Sequence, residues 1–469
     1  MNNAAPRLIP PRIQPPAKPL KGLAFLAAFV RNPLEVAPQA VYEQDLVANQ
    51  MGGVQRLWVT SPALVKAVLL DEREKFQKLS QIRLLAPLLG KGILTSEGAE
   101  WKWQRQASAP MFRHQDLLGF VPAFVRATET LLAKWRAAPE GAVQEVDRDM
   151  SRATFDVISA TLLPSADRTV GAAVEESMQL FQRAGGWGQL FAMAGAPAWL
   201  PRPGMVSGAR GTAMLRSAVA TMLRERREVE TRTGTGQDTA EGRVPDDLMH
   251  RLMQARDPDS GQSMNDQQLV DNLLTFYLAG HETTARALSW TLYLIARSPQ
   301  WAEILEDEIA RVTGGEPIRS EHIERLVLVQ QVLKESMRLY PPVPMLSRQC
   351  VAPARLDGVE IQPGATVVLP IYAIHRHTKR WEDPDAFDPG RFAPDNEAKI
   401  PRYQYLPFGA GPRICIGMAF AMLEATAMLA TLLQKARFAP VPGRDPHPVA
   451  RVTLQPGGGL PLKVSLRKL

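Results

Sequence analysis

Along most of the chain, apolar positions recur three and four residues apart within stretches dominated by Ala, Leu, Arg and Glu. That spacing lines one face of a helix. The longest such run predicts a helix over 265–298. Leu269, Leu273, Phe276, Ala287, Leu288 and Ile295 lie on its apolar stripe, Asn265 and Gln268 resemble a capping box, and Pro299 supplies a stop. A second helix is predicted over 322–339, ending at Pro341-Pro342, and a third over 418–435, rich in Ala, Leu and Met. Strand-like segments are short: 55–59, 366–369, 452–454 and 462–466. The expected fold is mainly α with small β-sheets.

Punctuation along the chain refines this. Pro6, Pro10, Pro11, Pro15, Pro16 and Pro19 make residues 1–20 an extended arm. The apolar run 22–30 falls far short of the about 20 residues that span a bilayer. It predicts a buried first helix in preference to a membrane-surface contact, and no secretory leader precedes it. The polar stretch 229–246 reads as a mobile loop. No compositional break divides residues 21–469, so a single domain is expected there, although 469 residues would suggest about three domains at roughly 150 residues each.

Composition changes the picture mainly by exclusion. With 45% hydrophobic and 22% charged residues the chain is neither disordered, collagen-like nor a polytopic membrane protein. A net charge of +7 arises from dispersed cations without a dense Lys/Arg run, so nucleic acid is not an expected partner. Two cysteines, Cys350 and Cys415, do not make a disulfide scaffold, and a reducing, cytoplasmic setting follows.

Cys415 has unusual surroundings. Residues 408–417 read Phe-Gly-Ala-Gly-Pro-Arg-Ile-Cys-Ile-Gly, and a strong helix follows. A helix N-terminus and the nearby Arg413 both favour a thiolate. Gly409, Gly411 and Gly417 allow close backbone approaches. A small buried hydrophobe is the alternative reading of any free cysteine. However, Phe408, Gly411, Arg413, Cys415 and Gly417 fill every fixed position of F-x-x-G-x-R-x-C-x-G, a match expected by chance on the order of 10⁻⁵ times in such a chain.

At this loop the chain resembles the cytochrome P450 family, and the resemblance runs from about residue 40 to the C-terminus. It implies that Cys415 is the thiolate ligand of haem b (iron protoporphyrin IX), held between the long central helix and the cysteine-loop helix. It also implies that Phe408 packs beside the sulfur and that Gly417 belongs to the same cofactor-binding loop.

Four further elements carry the likeness. Ala279-Gly280-His281-Glu282-Thr283-Thr284 places small and polar residues inside an apolar helix, a local violation that either marks a functional site or serves a helix–helix contact. It resembles the family's A/G-G-x-D/E-T-T/S groove. The resemblance makes Glu282 and Thr283 the pair that supplies protons for oxygen activation, Ala279 and Gly280 the residues that leave room for O₂, and His281 a bystander. Glu335-Ser336-Met337-Arg338 before Leu339-Tyr340-Pro341-Pro342 is similar to the K-helix signature, and 387–392 to the P-x-R-F segment. Together they imply a buried ionic triad of Glu335, Arg338 and Arg391. Trp101 and Arg105, four residues apart, share a helix face. They match the C-helix W-x-x-x-R that contacts a haem propionate, a role also implied for Arg348 and Arg413. His375 either faces the haem or packs.

The implied activity is a monooxygenase that puts one oxygen atom of O₂ into an organic substrate by hydroxylation or epoxidation. Peroxide-driven or rearranging haem-thiolate enzymes tend to lack the Glu-Thr pair, and a gas sensor would not need it. Only about fifty residues follow Cys415, with no flavin or iron–sulfur segment among them. Two electrons are therefore expected from a separate ferredoxin or flavodoxin with an NAD(P)H-dependent reductase, docking on a basic face around Lys102, Arg105 and Arg402. The segments expected to line the pocket, 81–94, 182–205 and 343–346, are rich in Leu, Pro, Ala, Gly and Phe and suit an apolar substrate.

Overall fold

The structure, a computed structural model, describes residues 7–51, 53–162, 191, 205–234, 247–257 and 260–467. Nearly all of the expected pocket segment 182–205, and residues 235–246 of the expected polar loop, lie outside the described residues. Among the described residues eleven helices have seven residues or more. They are α1 (Gly22–Arg31), α2 (Leu79–Leu89), α3 (Gly98–Ser108), α4 (Val121–Arg136), α5 (Val146–Leu162), α6 (Met205–Gly234), α7 (Leu248–Gln254), α8 (Asp266–Ala296), α9 (Pro299–Thr313), α10 (Val327–Leu339) and α11 (Met418–Lys435). None is long and apolar enough to cross a membrane.

Backbone contacts resolve two compact units. One comprises Met1–Gln77, Leu117–Thr154 and Glu282–Leu469, the other Lys78–Asp116 and Phe155–His281. The first holds a five-stranded sheet ordered β1-β2-β8-β5-β3, formed by β1 (Leu46–Met51), β2 (Val54–Val59), β8 (Thr366–Leu369), β5 (Leu346–Cys350) and β3 (Phe76–Gln77). Three smaller sheets join β4 (Val143–Glu145) with β12 (Pro461–Leu466) and β9 (Ala436–Pro440), β6 (Ala354–Leu356) with β7 (Val359–Ile361), and β10 (His447–Ala450) with β11 (Leu454–Gly457). The core under the large sheet includes Leu57, Val59, Val367, Leu369, Ile371 and Leu406.

The longest predicted helix is α8. Its capping box forms as expected: the Asn265 N–H donates to Gln268 Oε1 at 3.1 Å and the Gln268 N–H to Asn265 Oδ1 at 2.9 Å. Pro299 is more than a stop. It is the first residue of α9, where the missing N–H costs nothing. The helix expected over 322–339 is broken. A turn spans Ser320–Ile323 and α10 begins at Val327. Its exposed amides are met from the side, because Glu308 of α9 accepts from Leu328 N–H at 2.8 Å and Val329 N–H at 2.9 Å. A cap supplied by another helix leaves no local signal. The predicted helix 418–435 coincides with α11.

Two expectations need correction. Residues 229–234 do not open a loop but continue α6, where Thr231 returns its hydroxyl to the Arg227 carbonyl at 2.8 Å and the preceding Arg/Glu run favours helix. The strand placed at 452–454 lies at Leu454–Gly457, because 451–453 form the bend between β10 and β11. The first helix is buried only at its C-terminal end, at Ala28 and Phe29, while Leu23 is 83% exposed.

Residues 7–20 hold no helix, as the prolines require. Their backbone is fastened at intervals to the unit that carries α10. Phe387 N–H donates to the Leu8 carbonyl at 2.9 Å, the Tyr340 hydroxyl to the Pro11 carbonyl at 2.6 Å, and Ile13 N–H to the Tyr372 hydroxyl at 3.2 Å.

Candidate active site

The cysteine loop lies between β8 and α11. Gly409 and Gly411 both adopt φ +70°, a region open chiefly to glycine. A Cβ on Gly411 would run into the Leu69 carbonyl oxygen, so only glycine lets the loop lie against that backbone. Gly411–Arg413 make a single 3₁₀ turn, and Cys415 N–H then donates to the Phe408 carbonyl at 2.9 Å. The cysteine is exposed, three residues before the first turn of α11, which Gly417 caps. The fold thus presents this thiol outward, whereas Cys350 is buried and burial pushes its thiol pKa up. Strand β5 runs under the loop, with Leu346 the nearest neighbour of Gly409. Two residues on, the largely buried Arg348 donates to the Ser347 carbonyl at 2.8 Å.

The segments that precede the loop are anchored by charge. Glu335 and Arg338, both fully buried, pair through Nε–Oε2 at 2.7 Å and Nη2–Oε1 at 2.8 Å. Arg338 spends its remaining donors on the carbonyls of His375, Pro384 and Ala386 at 2.7–2.9 Å. Arg391 stands 3.6 Å from Glu335 Oε1, which also accepts from Asp388 N–H at 2.8 Å. This is the triad implied by the sequence. Such a pair is stable because every Arg338 proton is bonded and Glu335 takes a further backbone donor.

His375 packs. It is fully buried, its Nε2 accepts from Leu406 N–H at 2.8 Å and its Nδ1 lies 3.2 Å from the Arg338 carbonyl. Burial first, then the neighbouring guanidinium of Arg338, lowers its pKa to about 3. A neutral ring therefore ties the triad to the segment leading into the cysteine loop.

Helix α8 shows where it is open. From Leu269 to Ala296 every residue is buried except Ala279, Gly280 and Thr283. These three lie at i, i+1 and i+4, on one side of the helix. The polar residues elsewhere on it are absorbed locally; Thr275 and Thr291, for instance, bond the carbonyls four residues back at 2.7 and 2.6 Å. Gly280 has a packing reason of its own, because a Cβ there would meet Ile158 Cδ1 at 2.8 Å. His281 is buried, with Nδ1 3.0 Å from the Tyr277 carbonyl and its ring against Phe155.

Glu282 faces away from the opening. It is 5% exposed, and its Oε1 accepts from Thr453 Oγ1 at 2.8 Å and Gln455 Nε2 at 3.3 Å. Arg286 stands 4.0 Å from the same oxygen and pairs with Asp147. The hairpin residues had no sequence signal, since they lie far along the chain from Glu282. Glu424 did have one: it is the only charged residue between Met418 and Lys435 in an apolar helix. Its carboxyl is buried, hydrogen-bonds with Thr284, and desolvation raises its pKa well above the usual range.

In the second unit, α3 carries Trp101 and Arg105, both partly exposed, on one side. Gln104 faces the other way, donating to the Lys91 carbonyl at 2.9 Å and accepting from Asn272 at 3.1 Å. Lys102 in this unit and Arg402 in the first are both exposed.

Across residues 13–461 the chain matches the sequence model of the family described as Cytochrome P450. It is 30% identical over 446 residues to cyclooctatin synthase of Streptomyces melanosporofaciens, covering 95% of this chain and 94% of that protein. Cyclooctat-9-en-7-ol 5-monooxygenase of the same organism is 29% identical over 90% of this chain and 88% of its own. A cytokinin hydroxylase of Arabidopsis thaliana is 31% identical over 80% and 71%. Among solved structures, the crystal structure of cytochrome P450DA heme domain superposes with a TM-score of 0.81 and 26% identity, over 97% of this chain and 99% of that one.

An outward-facing thiol on a glycine-shaped loop, with a charge-locked scaffold behind it, defines a haem-thiolate protein. The chain belongs to the cytochrome P450 family, and it is a haem-dependent monooxygenase. The residues present fit the cofactor: the loop offers one exposed sulfur where a Cβ on Gly411 would collide with the Leu69 backbone.

Proposed function

We propose that the chain oxygenates an apolar organic substrate by hydroxylation or epoxidation in the cytoplasm, with two electrons from a separate ferredoxin or flavodoxin and its NAD(P)H-dependent reductase. The observation that carries the site assignment is the exposed Cys415. Cys415 would hold the iron, Trp101, Arg105, Arg348 and Arg413 the propionates, and Phe408 and Gly417 would shape the loop around the sulfur. Haem held by the Cys415 thiolate would supply the redox chemistry that divides dioxygen between product and water.

The protein's part is protons and space. Thr283 lies in the one stretch between Leu269 and Ala296 that is not buried, where its hydroxyl can hold a proton for oxygen activation. Ala279, beside it, offers only a methyl group and so leaves room. The next residue back, Glu282, turned about 100° around the helix, would act with Thr283 as the acid–alcohol pair of proton delivery. The Leu- and Pro-rich segments 81–94 and 343–346 support an apolar substrate, in keeping with the names of the streptomycete relatives. We also propose that the two compact units form one catalytic domain after the arm 1–20, since the family match spans both.

The test is spectroscopic. The reduced protein loaded with hemin should give the carbon monoxide band diagnostic of thiolate-ligated iron, and Cys415→Ala should abolish it while Cys350→Ala keeps it. Loss of the band in Cys350→Ala alone would overturn the assignment. A library of apolar ligands, screened for the low- to high-spin change on ferric haem, would then identify the substrate class.

A further inference from the structure

Side chains alternate along strand β2. Leu57 and Val59 enter the core under the large sheet, so Val54, Arg56 and Trp58 share the other face. Arg56 is only 6% exposed there. Its guanidinium carbon lies over the Phe25 ring of α1 at 5.6 Å and over the Trp58 ring at 5.9 Å. Ring faces steady a cation but leave its five N–H donors without an acceptor oxygen. Among the described residues the guanidinium has no hydrogen bond and no ion pair, and burial alone moves its pKa, down to about 10. It therefore stays charged at neutral pH. The indole N–H of Trp58 is buried too, and meets no acceptor among the described residues. Asn49, opposite Arg56 in the β1–β2 register, shares this face and has a side-chain oxygen likewise unmet; turned over, that amide offers a further donor. The mount is firm. Strand β2 lies between β1 and β8, and Asn32, at the end of α1, bonds the Pro448 carbonyl at 2.9 Å and the Ala450 N–H at 3.0 Å.

We propose that Arg56 and the Trp58 indole N–H form a binding site for the carboxylate of an organic acid with an apolar body. The planar fork of a guanidinium takes a carboxylate through two parallel hydrogen bonds, and the indole supplies a donor beside it. A carboxylate is flat and fits against ring faces, whereas the outer oxygens of a phosphate would ask for more donors than these. Val54, two residues back on the same face and 47% exposed, gives the rest of the acid an apolar place to lie. A buried charge without a partner is costly, so the acid meets a cation already largely withdrawn from water. The inference stands apart from the haem reading, since it asks for binding and not for turnover.

Calorimetric titration of the full haem-loaded chain with octanoate tests it, with 1-octanol and inorganic phosphate alongside. Octanoate should bind the parent. Arg56→Gln should weaken that binding about tenfold or more, and Trp58→Phe, which keeps an aromatic ring and loses the N–H, severalfold. Arg56→Lys, which keeps the charge without the fork, should fall between the parent and the Gln variant. Thermal midpoints identify the folded variants, and Trp58→Phe, which alters no charge, carries the test if Arg56→Gln does not fold. No octanoate binding by the parent would overturn the inference, as would equal octanoate affinity in the parent and the folded variants. So would loss of 1-octanol binding to the same degree as octanoate in the Arg56 variants, or displacement of octanoate by an equal concentration of inorganic phosphate, the mark of a general anion site. The ferric haem spectrum, followed in the same titration, separates two sources of the acid. A low- to high-spin change present in the parent and lost in Arg56→Gln assigns the carboxylate to the substrate itself; binding without that change assigns it to a second ligand. Both results support the site.

Discussion

At the scale of single residues, the chemistry rests on side chains with opposite surroundings. Thr283 is partly open while Glu282, one position earlier, is buried against β11. Removing the hydroxyl should leave electron uptake intact and misdirect protons. Thr283→Ala is expected to consume NADPH at a comparable rate while converting most of it to peroxide, measured as peroxide formed per NADPH; unchanged coupling would remove Thr283 from the mechanism. The triad behaves differently. Glu335→Ala would strand the guanidinium of Arg338 at zero exposure, a loss of roughly 3–5 kcal/mol. It should appear in urea unfolding, with falling haem content as a secondary effect. Cys415, Glu335 and Arg338 were legible in the sequence because each sits in a fixed local spacing. Thr453 and Gln455 were not, because their partner is 171 and 173 residues away and nothing in a short window encodes such a contact.

At the scale of elements, length and periodicity decided what was readable. Helices α8 and α11 were placed to within two residues because each keeps one apolar pattern for many turns. The start of α10 was missed because its amides are satisfied by Glu308 from another helix. Most of the twelve strands among the described residues were missed as well. Many have three to five residues, too few for alternation to register. The N-terminal arm was correctly read as extended, but its fastening to Tyr340, Tyr372 and Phe387 involves backbone groups that carry no sequence signal. That fastening predicts a measurable role. Deleting residues 1–16 removes four hydrogen bonds to described backbone groups of the arm, at Leu8, Pro11, Ile13 and Pro16, worth about 1 kcal/mol each, and the exposed ion pairs of Arg7 with Asp383 and Arg12 with Asp385. The thermal midpoint should fall by a few degrees, while the reduced carbon monoxide spectrum of the folded fraction stays that of the full chain. An unchanged midpoint would show the arm to be passive.

At the scale of the whole molecule, two buried groups give stability opposite dependences on pH. His375 has its pKa lowered to about 3, chiefly by desolvation. Between that value and the ordinary histidine value of about 6.5 the unfolded chain binds the extra proton, so stability falls as pH falls through this window. By pH 5 the loss amounts to about 2 kcal/mol. Glu424 has its carboxyl raised, again by desolvation, against the lowering effect of its bond to Thr284. Its contribution is full below the ordinary glutamate value and declines as pH rises above it. Urea unfolding at pH 7 and pH 5 checks both. His375→Gln should remove the acid-side loss, and Glu424→Gln should remove the decline on the alkaline side. Parallel curves for variant and parent would contradict the assignment.

The clasp made by Asn32 has a bearing on how the molecule is born. Besides its local bond to Leu34 N–H, its amide bonds Pro448 and Ala450, more than four hundred residues later, just as Pro11 waits for Tyr340. While the ribosome is still translating, the segment around Asn32 has its local bonds but not these late partners. The segment around Asn32 therefore completes its contacts only once β10 has been made, and a synthesis halted before residue 448 leaves them unmade.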